Sequence, residues 1–194
     1  VCGRIFDYFK KILNTNISVP TELNCLQEKY IDEASKLFKN DKKYIGFSIT
    51  AGHPTRKKEI SLKTIVEVAN YFGDKNYIPT FFIEEKHEDK INTIKTMVKN
   101  SYFPEHFVKA SLRNPFLVIA MGKKLHSAIS INNGIMHMLG LAGTKTAVFF
   151  DENSDKFKPL NDNKSKIYCS SKSNNKKIID LTSEDIINFV KDFI

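Results

Sequence analysis

Two short stretches of the chain concentrate side chains that can meet an anionic ligand. The first runs Thr50-Ala51-Gly52-His53-Pro54-Thr55-Arg56-Lys57-Lys58. It combines hydroxyls, a glycine whose backbone a ligand can approach, and three consecutive cations. An oligophosphate needs such donors and charges, best placed at the positive end of a helix. A solvated basic turn is the plainer alternative. The second stretch is Asn132-Asn133-Gly134-Ile135-Met136-His137. A helix starting there would point the backbone N–H groups of Asn133 to Met136 at a ligand. His137, about one turn in, can donate a hydrogen bond or carry a positive charge; the alternative is a turn followed by a packed histidine. Asp151 and Glu152 follow an apolar run and suit ribose contacts as well as plain surface.

Other chemistries find less support. His53, His87, His106 and His126 make no ligand spacing with His137 or with each other, which argues against a zinc centre. Cys2, Cys25 and Cys169 are widely spaced, contain no CxxC and cannot all pair, so a reducing compartment is expected. The dinucleotide fingerprint GxGxxG and the phosphate loop GxxxxGK[ST] are both absent. Gly143-Thr144-Lys145 sits between a helix end and a strand, the reverse of the strand-to-helix order such a loop requires. No GxSxG elbow supports serine hydrolysis. No Asp/Glu pair at the strand ends offers a general base with its acid.

Composition narrows the partners. The 194 residues carry a formal net charge of +8, with Arg4, Arg56 and Arg113 the only arginines among 30 basic residues. Base readout and bidentate phosphate clamping favour Arg. A solvated Lys- and Asn-rich surface that attracts phosphorylated or anionic ligands is therefore expected, and dedicated nucleic-acid binding is not. No apolar run approaches the 18 or so residues of a membrane span. The chain opens on Val1 without the apolar core of a secretory signal, and is expected to be processed or cut from something longer.

These stretches need elements to hold them. Residues 4–13 show one apolar helical face, and Thr21 can cap a helix through Tyr30, Ala34 and Phe38. Strands are expected at 44–49, 77–83, 127–131 and 145–150, with short candidates around 107–112 and at 167–169. Helices are expected from Ser61 to a closing Gly73, over 87–99 with Ile91, Ile94, Met97 and Val98 inward, over 115–124 behind an Asn114 cap, and over 135–142. Thr182-x-x-Asp185 is a capping box for a terminal helix. Alternation of this kind predicts an α/β fold, a Rossmann-like three-layer sandwich around a parallel sheet. Residues 1–43 read as a helical entry segment and 44–194 as the Rossmann-like domain.

Residues 129–150, ISINNGIMHMLGLAGTKTAVFF, resemble the signature of the heptosyltransferase family of GT-B glycosyltransferases, glycosyltransferase family 9. Gly134, Met136, His137, Gly143, Thr144 and Phe149 match that signature in kind and spacing. The loop after Ile49 is similar to the family's Pro-Gly-Ala loop, with Ala51 and Lys57 the best matches and Arg56 or Lys58 one residue away. Asn132 and Asn133 stand where the family has Asp and Ser, and Glu84-Glu85-Lys86 replaces its glycine-rich loop. The resemblance implies the C-terminal, donor-binding half of a GT-B fold. It further implies an inverting transfer of a heptose-like sugar from a nucleotide-sugar such as ADP-heptose to a lipopolysaccharide or other glycan acceptor. Neither a cofactor nor an essential metal is implied, and the acceptor and general base would come from an N-terminal domain. Thr50, Ala51, Thr55, Arg56, Lys57, Lys58, Asn132, Asn133, Gly134, Met136 and His137 are the donor-binding candidates. A cytoplasmic location, at the inner face of the membrane through peripheral association, goes with this reading. A degenerate nucleotide-sugar-binding relative, or another GT-B enzyme such as an epimerase, remains the alternative.

Overall fold

The structure, a computed structural model, describes residues 21–51, 59–160, 162–172 and 176–194. Five strands, β1 (Lys43–Ser48), β2 (Tyr77–Phe81), β3 (Ser127–Ile131), β4 (Thr146–Phe150) and β5 (Ser165–Cys169), form one sheet in the order β2-β1-β3-β4-β5. Every neighbouring pair is parallel. The helices are α1 (Glu28–Leu37), α2 (Leu62–Asp74), α3 (Glu88–Met97), α4 (Pro115–Gly122), α5 (Gly134–Leu141), the short α6 (Ser154–Phe157) and α7 (Ser183–Val190). The expected Rossmann-like α/β sandwich is what the chain forms.

The central strands β1, β3 and β4 are buried on both faces, and their side chains alternate between two cores. Ile45, Phe47, Ile129, Ile131, Ala147 and Phe149 pack beneath α2, α3 and α7. Tyr44 and Ala128 face α1, α4 and α5, and Val148 and Phe150 meet Met136 of α5. The central helix α4 reads PFLVIAMG, apolar on every side, because α1 covers one flank, α5 another and the sheet lies beneath it. Gly143 closes α5 with a left-handed backbone, φ 74°, and the Glu22 carboxylate lies where a Cβ would stand.

Local chemistry sets the helix starts. Asn114 accepts from the N–H groups of Phe116 and Leu117, with Pro115 in the first helical position. The Ser61 side chain caps α2, and Thr182 with Asp185 forms the expected capping box. Four expectations are corrected. α1 begins at Glu28 rather than near Thr21, because residues 21–27 run alongside α5, where the Leu23 N–H donates to the Leu141 carbonyl. Gly73 lies inside α2; the left-handed residue after that helix is Asn76, φ 64°, whose short polar side chain tolerates the conformation. The 107–112 region holds no strand. It forms two 3-10 turns, Pro104–Phe107 and Ala110–Leu112, and the extra pairing is a single bridge between Tyr102 and Thr80. Met97 is 54% exposed at the end of α3, while Ile91, Ile94 and Val98 face the core as expected. The helix read over 4–13 lies outside the described residues.

Tyr102 ties the edge of the sheet to α1, donating its hydroxyl to the Leu37 carbonyl at 2.9 Å. Burial, with Tyr44 beside it, pushes the phenol up to about 12. The folded state therefore favours the neutral phenol. Its contribution is complete below the unfolded value of about 10 and is lost as pH rises through about 12. Urea denaturation over that interval should show a steeper alkaline loss of stability in the wild type than in Tyr102→Phe.

Candidate functional site

The connections leaving β1 and β3 diverge, β1 leading outward to β2 and β3 leading the other way to β4 and β5. A crevice opens beyond the carboxyl ends of two such strands, and open α/β sheets bind ligands there. A cavity of about 430 Å³ occupies this place. Thr50 from β1, Phe82 to Glu85 from β2, Glu105 and His106 from the first 3-10 turn, and the starts of α4 and α5 form its wall. Phe82, Ile83, Val118, Ile135 and Met138 make the apolar part.

Asn133 holds the crevice together. Its Oδ1 caps α5 by accepting from the Met136 N–H at 2.9 Å. Its Nδ2 donates to Ser48 Oγ at 2.8 Å and to the Thr50 carbonyl at 3.1 Å. The two stretches singled out in the sequence are thus joined by one side chain. The far end of the first is anchored as well: Glu59 accepts from the Ala51 N–H at 2.8 Å and pairs with Lys90. Thr55, Arg56, Lys57 and Lys58 lie between these anchors and outside the described residues.

The second helix start brings polar groups from the other side. Asn114 donates to the Tyr30 hydroxyl at 2.8 Å while it caps α4. Arg113 is braced twice, by the Val108 carbonyl at 2.8 Å and by Glu85 at 2.7 Å. The hydrogen bond from Arg113, followed by its charge, holds the Glu85 carboxyl below its usual range. Burial pushes the Glu105 carboxyl up, against the opposing charge of Arg113. The His106 ring stacks on Phe103 and its Nε2 lies 3.2 Å from the Ile83 carbonyl.

Of the residues expected from sequence, Thr50, Asn133 and Gly134 line the cavity. Ala51 and Asn132 flank it without forming its wall. Met136 is fully buried against Val148, Phe150 and Cys169, so its side chain belongs to the core and its N–H to the Asn133 cap. His137 lies on the outer side of α5, away from the wall, and desolvation pushes its imidazole below the ordinary value, which favours the neutral ring at pH 7. Asp151 is taken up structurally, accepting from Ser170 Oγ at 3.1 Å and from the Ile178 N–H at 3.0 Å. Glu84, Glu85, Glu105, His106 and Arg113 complete the wall. No local motif marks Glu105, His106 or Arg113; Glu84 and Glu85 stand where the resembling family has its glycine-rich loop. Among the described residues no group of His, Cys, Asp or Glu side chains is arranged to hold a metal ion.

The arrangement can seat a ligand with an apolar, planar part and hydroxyl or amino donors against the carboxylates. A negative charge is favoured where α5 begins. No family model matches the chain, and no curated protein sequence matches it. Solved structures do. A glycosyl transferase family 9 protein from Veillonella parvula DSM 2008 superposes with a TM-score of 0.77 at 15% identity, over 96% of this chain and 59% of that one. The E. coli ADP-heptose LPS heptosyltransferase II gives 0.68 at 13% identity, over 92% and 55%. The E. coli heptosyltransferase WaaC with ADP gives 0.66 at 10%, over 84% and 48%.

Replacing Asn133 tests the brace. Asn133→Ala should cost about 1–3 kcal/mol in chemical denaturation, since it removes a helix cap and two part-buried hydrogen bonds. Asn133→Asp keeps the cap but places a carboxylate against the Thr50 carbonyl, so it should not recover that loss. A stability equal to wild type in Asn133→Asp would show that the two donated bonds contribute nothing. The chain has the fold of the GT-B, heptosyltransferase-type glycosyltransferases and spans 48–59% of the length of these solved relatives.

Proposed function

We propose that this chain is the donor-binding half of an inverting glycosyltransferase that takes a heptose-like sugar from a nucleotide-sugar. The acceptor is a lipopolysaccharide or other glycan held by an N-terminal domain. The observation that carries this reading is the crevice at the β1/β3 switch point, where an apolar wall, carboxylates and the amide end of α5 converge. A nucleotide divides naturally over these groups. The base lies on Phe82, Ile83, Val118 and Met138, and the ribose hydroxyls donate to the Glu84–Glu85 side. The diphosphate lies toward Thr50 and Gly134, away from the carboxylates. Lys57 is the assigned phosphate contact, with Arg56 and Lys58 beside it and Thr50 or Thr55 as hydroxyl donor. Asn132, which flanks the wall, belongs at the sugar or phosphate end.

In transfer, negative charge grows on the departing diphosphate. Cations of the 50–58 loop, together with the amide end of α5, would stabilise that charge. These residues bind and orient; the proton is removed from the acceptor by a base in the N-terminal domain. The bound donor therefore needs no carboxylate dyad in this half, and the isolated chain should bind nucleotide without transferring sugar. A binding module that has lost transfer is the second reading. It is favoured by Asn132, which removes a negative charge beside the site, and by the engagement of Asn133 in the scaffold.

Titration calorimetry with ADP and ADP-heptose decides. Wild type should bind both. Lys57→Ala should lose about 1–3 kcal/mol, the scale of a charge-assisted hydrogen bond, and lose less at high salt because part of the attraction is screened. Tighter ADP-heptose binding by Asn132→Asp would mark Asn132 as drift from a donor-binding ancestor. Absence of binding by either ligand to folded wild type would overturn the donor reading.

A further inference from the structure

Most polar side chains on the α4 side of the crevice are already engaged. Arg113 is turned to the Val108 carbonyl and to Glu85, and Glu84 is paired with Lys86. Asn114 caps α4 and meets the Tyr30 hydroxyl, and the His106 ring lies against the Ile83 carbonyl. Glu105 differs. It lines the same cavity, yet among the described residues its carboxyl makes no hydrogen bond and no ion pair. Arg113 acts on it through charge alone, and Glu84 repels it.

A carboxyl withdrawn from water and left without a donor costs the fold free energy. Local structure does not call for it. Glu105 lies in the 3-10 turn Pro104–Phe107, which starts on Pro104 and is held to the core by Phe103 and Val108. A hydrocarbon side chain of the same length would fill the position without that cost. What the carboxyl lacks is a donor from the cavity side. Beside it lies the apolar part of the wall, Phe82, Ile83, Val118 and Met138, to which His106 ties the turn through the Ile83 carbonyl. A flat ring resting on those side chains therefore turns one edge to Glu105.

We propose that Glu105 is a specificity-determining residue that accepts a hydrogen bond from the exocyclic amino group of the bound nucleotide's base. The proposal rests on the nucleotide reading of the crevice and adds which bases it admits. Adenine and cytosine carry an amino group on the edge concerned. Hypoxanthine and uracil carry an oxo group in its place, whose lone pairs would face those of the carboxylate. A neutral carboxyl can donate to an oxo group, so the contrast is greatest where Glu105 is ionised.

Titration calorimetry at pH 8, above the ordinary carboxyl range, tests this with two ligand pairs differing at that one group. These are ADP against inosine diphosphate, and CDP against UDP. Wild type should bind the amino member of each pair at least about tenfold more tightly, the scale of a hydrogen bond to a charged group. Glu105→Leu should bind ADP more weakly and bring both ratios to within about twofold. Glu105→Gln can turn either its oxygen or its amide donors to the ring, so it should keep ADP affinity within about threefold of wild type and gain inosine diphosphate. In urea Glu105→Leu should unfold no earlier than wild type, because the carboxyl has no partner to lose. Ratios near one in wild type, ratios that survive in Glu105→Leu, or a marked loss of stability in that variant would each overturn the assignment and leave the donor reading standing. No binding of any of these nucleotides to folded wild type would overturn both.

Discussion

The crevice depends on how one amide is used. Asn133 spans the gap between the two strands at the switch point, and each of its polar atoms has a defined partner. Its oxygen satisfies one of the orphan N–H groups at the start of α5, and its nitrogen holds the β1 exit through Ser48 and Thr50. A carboxylate can supply the cap and not the donors; a hydroxyl is too short to serve all three. An amide has an acceptor and two donor hydrogens on one planar group. This gives a structural reason for Asn at a position where the resembling family carries Ser. The hydrogen bonds also bring the start of the basic loop to the wall from which α5 directs its amide dipoles.

Around this brace, charge is distributed by distance from the helix starts. Glu85 and Arg113 restrain each other on the α4 side of the cavity, and Glu105 lies where burial resists its ionisation. Those carboxylates disfavour phosphate in their immediate neighbourhood and favour groups that donate hydrogen bonds. The amide end of α5 favours the opposite. A ligand with hydrogen-bond donors at one end and negative charge at the other suits this gradient. The core beneath gives the gradient rigidity. Met136, Val148 and Phe150 fix α5 on the sheet from below, so that the helix start cannot follow a misplaced ligand.

The chain has two chemically unlike poles because its sheet is wholly parallel. Strand exits and helix starts share one end, where the crevice opens. Strand entrances and helix ends share the other, where lysines complement the helix dipoles. Neither arrangement is visible in overall composition. The net charge of +8 describes the whole chain, whereas the effect on a partner depends on which pole that partner meets.

Local features of the sequence determine the elements. The Asn114-Pro115 start, the Thr182–Asp185 capping box, the left-handed Gly143 and the apolar strand runs act over four to eight residues, and each stands in the structure where the sequence puts it. Alternation of strand and helix determines the parallel sheet in the same way. Signals that compete locally were less legible. The residues after Thr21 have helical spacing, but their backbone pairs with Leu141, and the apolar residues near Phe107 follow Pro104 into a 3-10 turn. The site was legible only in part. Asn133 and Thr50 could each be singled out, yet Asn133 lies 85 residues from the Ser48 hydroxyl to which it donates. Their meeting depends on β1 and β3 becoming neighbours. The convergence of Glu84, Glu105 and Arg113, and the inward turn of Met136, likewise depend on strand order and packing. A sequence records the conformational preference of each segment, while only the tertiary structure decides which distant segments share a wall.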